Sequence, residues 1–346
     1  GGMSLKNWRK AGAISGLPQA ARGKVFVTDA PSVAGAIIDF RQLWVKGVKA
    51  VRSKSTMANK MDRILSWDRK AQTCWIPVSK GGLTYQPGME MLIHQWWAIA
   101  NLRIKSVEVK GDSAKLSFMQ PESKVQSEHP WPAPWISAET GNSAFFLTNS
   151  LQFLNEPGEW YLDKTAGKVY YWPREGERLQ DGDVTVPVLE TLVKIQGTID
   201  HPVRHISFEG IAFRYASWLR PSQQGHVPLQ AGMYLLDAYK LKIPGTPDKA
   251  GLENQAWVGR PAAAVEATYT EHTAFEACRF EHLASTGLDY KRGNHHDVVR
   301  GNLFKDIGGT AINVGVFSDE AFEAHLPYNP SDWREVSSNT LISNNL

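Results

Sequence analysis

Glu266, Asp289 and Asn313 each follow an apolar residue: Val265, Leu288 and Ile312. Leu288 lies 23 residues after Val265, and Ile312 lies 24 after Leu288. In an extended chain successive side chains point to opposite faces, so an inward apolar residue turns the acid or amide after it outward. Stacked at the spacing of adjacent strands, about 4.8 Å per pass, the three form one outward column. Two carboxyl groups about 5–5.5 Å apart would serve retaining hydrolysis of a glycosidic bond, one as acid and the other as nucleophile. Their mutual repulsion raises the pKa of one. Lys291, two residues beyond Asp289, and the adjacent Arg292 would hold the other ionised.

A repeat must position that column. Residues 275–289 align with residues 299–313: Phe275 on Val299, Phe280 on Phe304, Leu283 on Ile307 and Leu288 on Ile312, all displaced by 24 residues. A fixed period of this size marks a solenoid, and its short apolar patterns are strand-like, without helical spacing. The pattern of Phe208-Glu-Gly-Ile-Ala-Phe213 recurs in Phe275-Glu-Ala-Cys-Arg-Phe280, and residues 342–346 restart the pattern of 299–303. Each coil buries apolar side chains only against its neighbours, so three or more are expected. The chain reads as part of a longer solenoid.

Other residues could line a cleft. Asp306, aligned with His282, is a further carboxylate candidate, although Asp at a coil corner usually caps backbone groups. His295 and His296 lie in the turn after Lys291; a bare His pair is weak evidence for metal, and no metal is assigned. Two insertions, 219–262 and 316–336, leave the solenoid near the column. The first carries Arg220, Gln223, Gln224 and His226, which suit sugar hydroxyls, and the second carries Asp319, Glu320 and His325. Several of the thirteen tryptophans, among them Trp131, Trp135, Trp218 and Trp333, sit in polar or Pro-rich contexts. There an indole face would match a pyranose ring.

A net charge of +3 over 346 residues, with no Lys/Arg block, gives no footprint for nucleic acid. No run of 18 apolar residues is present, so no helical membrane span is expected. Cys74 and Cys278 have no metal-ligand spacing. No nucleophile elbow, phosphate loop or dinucleotide fingerprint appears in a suitable setting. The oligomeric state leaves no mark in the sequence.

Residues 40–52, 89–120 and 156–172 read as short antiparallel strands and hairpins, a β-sandwich-like module. Phe40-Arg-Gln-Leu-Trp-Val-Lys-Gly, Glu156-Pro-Gly-Glu-Trp-Tyr-Leu-Asp with Lys168-Val-Tyr-Tyr-Trp-Pro, and Val203-Arg-His-Ile-Ser-Phe-Glu-Gly-Ile-Ala-Phe resemble segments of bacterial right-handed parallel β-helix proteins, among them glycoside hydrolases of family 141 type. The resemblance covers roughly residues 35–315. It implies an all-β chain: a remnant of an early coil and linker in 1–35, an inserted β module in 36–183, and parallel β-helix coils in 184–346. It also implies a secreted or periplasmic protein acting on a plant or algal cell-wall polysaccharide. The carboxylate pair would be Glu266 and Asp289. Two rivals differ in class: a polysaccharide lyase, in which Lys291 or Arg292 supplies the base and Ca²⁺ neutralises a uronate, and a non-catalytic carbohydrate-binding protein.

Overall fold

The computed structural model describes residues 1–78, 82–129, 132–229, 232–238, 256–315, 330 and 332–346. It is mostly strand, with helix confined to short pieces such as Glu122–Glu128 and Arg220–Gln224.

From Val193 onward the chain returns over itself in parallel ladders. One holds Val193–Gln196, Ala263–Thr268, Thr286–Arg292 and Ile312–Val314. A second holds Ser207–Glu209, Ala274–Glu276, Val298–Arg300 and Leu341–Ser343. A third holds Ala212–Ala216, Arg279–Leu283 and Leu303–Ile307. The pairs Phe275–Val299, Phe280–Phe304, Leu283–Ile307 and Leu288–Ile312 are those of the 24-residue repeat. Their inward side chains form one buried cluster. Within it the rings of Phe213, Phe280 and Phe304 stack at 4.9 and 4.6 Å. Each such pair contributes about 0.5–1.5 kcal/mol beyond burial.

The corners recur as faithfully as the strands. Tyr215, His282 and Asp306 all adopt positive φ immediately beyond or within the third ladder. An L-residue there costs about 1–2 kcal/mol, so the ladders on either side must impose the bend.

The first half is antiparallel except where Val51–Arg52 runs parallel to Glu159–Asp163. A seven-stranded sheet runs Ser66–Asp68, Thr73–Pro77, Ser113–Phe118, Ala98–Lys110, Glu90–Gln95, Ala144–Thr148, Asp62–Arg63. Alternation along Ser113–Phe118 buries Ala114, Leu116 and Phe118 with Cys74 and Ile76 in a core of its own. A second sheet pairs Glu159–Asp163 with Lys168–Tyr171 and extends to Phe26–Asp29. Trp96 and Trp97 form a two-residue turn between Glu90–Gln95 and Ala98–Lys110. Gly2–Leu5 runs antiparallel to Val184–Pro187, and Leu5 buries with Val184 and Val186 in the core of this half.

The 219–262 insertion joins the two halves. Its strands Tyr234–Ala238 and Ala256–Gly259 pair antiparallel, while 239–255 fall outside the described residues. Val227, Leu235 and Val258 bury in the core of the seven-stranded sheet. The His226 and Asn101 backbones exchange two hydrogen bonds of 2.8 Å. Arg103 grips both carboxylate oxygens of Glu122, at 2.7 and 2.9 Å, and donates to the Gln223 carbonyl. The insertion is thereby held over the first parallel ladder.

Candidate active site

The ladder pairs Glu266 with Asp289 and Asp289 with Asn313, forming the column. Outward from the coil core does not mean toward solvent, because the insertion covers this face. Asp289 is 0% exposed and Glu266 9%. The Arg260 guanidinium donates to both Asp289 oxygens at 2.7 Å and to the Gly315 carbonyl at 2.8 Å. Burial nevertheless raises the Asp289 pKa above its ordinary value, outweighing the attraction of Arg260 and Lys291. Desolvation of this size beside an ion pair is expected for a carboxylate removed from water. The column therefore holds one carboxylate that lines a pocket, Glu266, and one sealed beneath an arginine, Asp289.

Glu266 faces a cavity of about 340 Å³. Lys291 closes on its Oε2 at 3.0 Å, and Thr191 Oγ1 lies 3.5 Å from its Oε1. A second carboxylate, Glu190, lines the same cavity and accepts from the Leu219 backbone N–H at 2.7 Å. The opposite wall belongs to the insertion. Trp218, Arg220, Gln224 and Tyr234 line it, with Arg220 over the Tyr234 ring at 4.0 Å from its centroid. Gly259 makes that wall fit: a Cβ there would lie 2.2 Å from the Tyr234 ring. Behind it the half-buried His226 ring meets Trp218 edge-on, centroids 4.9 Å apart. Desolvation, then Arg220 and Arg41, push its pKa down to about 3, so the imidazole is neutral.

The structure therefore gathers Glu266, Lys291, Trp218, Arg220 and Gln224 around one cavity, with Asp289 and His226 in its supporting layer. Other predicted residues stand apart. Asp306, on the third ladder, accepts from Trp44 Nε1 (2.8 Å), Lys49 Nζ (3.0 Å) and the His282 ring (2.8 Å). That is an interlock with the Trp44–Lys49 hairpin, and these donors hold the Asp306 pKa below its ordinary value despite burial. His295 is engaged by Ser338 Oγ and the Arg334 carbonyl in a different turn. Arg292 pairs in register with Thr268, and Asn313 continues the column; neither lines the cavity. Trp131, Asp319, Glu320 and His325 fall outside the described residues. Among the described residues no cluster of three or more His, Cys, Asp or Glu is arranged to hold a metal ion.

Sequence reasoning missed Glu190, Tyr234 and Arg260. Glu190 precedes the first ladder strand, before any repeat is visible. Tyr234 and Arg260 sit in an insertion with no period, so no repeat marks them in the sequence.

Residues 23–174 match the GH141 insertion domain family. A solved structure described as a glycoside hydrolase matches at 48% identity with a TM-score of 0.89, over 100% of this chain. The chain spans 58% of the length of that protein. The catalytic domain of a GH87 α-1,3-glucanase bound to tetrasaccharides matches at 8% identity and a TM-score of 0.13, covering 92% of this chain and 62% of its own. The catalytic domain of a GH87 α-1,3-glucanase in complex with nigerose, also at 8% identity and a TM-score of 0.13, covers 91% of this chain and 59% of its own. Those two likenesses are too weak to carry an argument. No curated protein matches the chain.

Proposed function

We propose that the chain, like the glycoside hydrolase it matches, hydrolyses a glycosidic bond, and does so in the cavity over Glu266. The observation that carries this reading is the convergence on one cavity of two carboxylates, Glu190 and Glu266, with an aromatic wall of Trp218 and Tyr234. Hydrolysis needs a proton donor to the leaving oxygen and a carboxylate for the anomeric carbon. Lys291 pairs with Glu266 Oε2 at 3.0 Å and orients it in the cavity. Glu266 is then the nucleophile or base, and Glu190 the acid. Asp289 acts as a positioning residue, fixing Arg260 at the cavity edge.

The ladders are read as a right-handed parallel β-helix, with residues 36–183 as its inserted module and 184–346 as its coils. The substrate is a plant or algal cell-wall polysaccharide, and the protein is secreted or periplasmic. A second reading keeps Asp289 as the general acid; its raised pKa and its register position beside Glu266 favour it.

Product release from pectic, xylan and fucosylated glycans tests the proposal. Glu266→Gln is expected to reduce turnover by several orders of magnitude with folding intact. Glu190→Gln and Asp289→Asn separate the two readings: the true acid's variant loses the alkaline limb of the pH profile, while the other keeps it. Turnover surviving Glu266→Gln sinks both.

A further inference from the structure

The cations around the cavity are not equivalent. Arg260 is spent on Asp289, at 2.7 Å to each oxygen, and Lys291 on Glu266, at 3.0 Å. Arg220 differs. Its guanidinium carbon lies over the Tyr234 ring, 4.0 Å from the centroid, the group donates to the neutral Gln224 side chain, and its Nε is buried without a partner. No carboxylate among the described residues lies within ion-pairing distance of it. The nearby acid Glu122 is occupied on both oxygens by Arg103, and Glu190 is engaged by the Leu219 backbone. The His226 ring behind it contributes no charge of either sign.

A partly desolvated guanidinium is costly when, as here among the described residues, no carboxylate pairs with it directly and its charge is met only by the more distant Glu122 and by Tyr234. Its planar fork is also pre-organised here, by stacking on one side and by Gln224 on another. Such a group is matched by an oxyanion that offers two parallel acceptors. We propose that Arg220 is the specificity-determining residue for an acidic sugar: the cavity takes a glycan unit bearing a carboxylate or a sulfate ester. The unit's anion sits on Arg220, and its ring lies against Trp218. The inference rests on the reading of this cavity as the glycan-binding site, and it can be tested without turnover.

The experiment is calorimetric binding to the Glu266→Gln protein with matched pairs of ligands. One pair is an oligogalacturonide and its fully methyl-esterified counterpart; the other is a sulfated galactan oligosaccharide and its desulfated counterpart. The anionic member of one pair is expected to bind about ten- to a hundredfold tighter, the range for a charge-assisted hydrogen bond. Which pair responds identifies the anion. Arg220→Gln should erase the preference, and Arg220→Lys, which keeps the charge but not the fork, should leave a reduced one. Equal affinity within both pairs, binding to none of the four, or a preference that survives Arg220→Gln overturns the inference. If the preference holds while the wild-type protein cleaves no glycan, the anion site stands and the hydrolase reading falls.

Discussion

Replacing Asp289 with asparagine separates what the carboxylate does for the site from what it does for the fold. Asp289 is 0% exposed, and its Arg260 partner's side chain is 6% exposed. Asparagine keeps one acceptor but turns an amide N–H₂ toward a guanidinium that only donates. One of two 2.7 Å hydrogen bonds is lost, and the carboxylate charge facing the buried Arg260 is removed. Breaking one side of such a pair costs about 3–5 kcal/mol. The chain has more than one core, so a single global unfolding transition is a poor readout. Native-state hydrogen exchange of Ala263–Thr268 and Thr286–Arg292 reports the local cost instead. At about 1.4 kcal/mol per decade, those amides should exchange roughly two to three and a half decades faster. The seven-stranded sheet should change little. Substituting both partners together, Arg260→Met with Asp289→Leu, should recover most of the loss, because an apolar pair escapes the desolvation that already raises the Asp289 pKa. Acceleration of less than tenfold in the single variant would refute the claim that this pair holds the insertion on the ladder.

The remaining predictions concern other groups. Burial raises the Glu159 pKa from 4.5 to about 7; its stabilising contribution is full below pH 4.5 and is lost as pH rises through 7, about 3 kcal/mol in all. Melting curves of Glu159→Gln at pH 5 and pH 8 should therefore converge where wild-type curves separate. Asp306→Ala should destabilise by about 1–3 kcal/mol, since the buried Trp44 Nε1 loses its acceptor, yet leave kcat unchanged; a large loss of kcat would place Asp306 in the chemistry. Gly259→Ala forces the Tyr234 ring away from a Cβ 2.2 Å distant, so KM should rise severalfold while kcat holds. The His226 ring signals in NMR should stay at their neutral positions from pH 8 down to pH 5.

The repeat was legible because it is made of consecutive residues under one constraint. Phe275, Phe280, Leu283 and Leu288 must each meet an equivalent residue in the next pass, and the ladders pair them so. Alternation also located Glu266 and Asp289 in one column. What alternation could not supply was the environment of that column, which depends on contacts distant in sequence. Arg260 reaches Asp289 across 29 residues, and Arg103 reaches Gln223 across 120. Trp96 and Trp97 show the same limit: both favour strands by propensity, but the pairing of Gln95 with Ala98 makes them the turn.

Because the cavity has one wall from the parallel ladders and another from an insertion rooted in the antiparallel core, a ligand bound there is also a clamp. Any ligand that touches Glu266 and Tyr234 at once adds its binding free energy to the docking of one half of the chain on the other. At a hundred times its Kd that addition is about 2.7 kcal/mol. Ligand supply and structural integrity are thereby linked: with ligand bound, local opening is resisted where the insertion meets the first parallel ladder, and without it that junction loosens first.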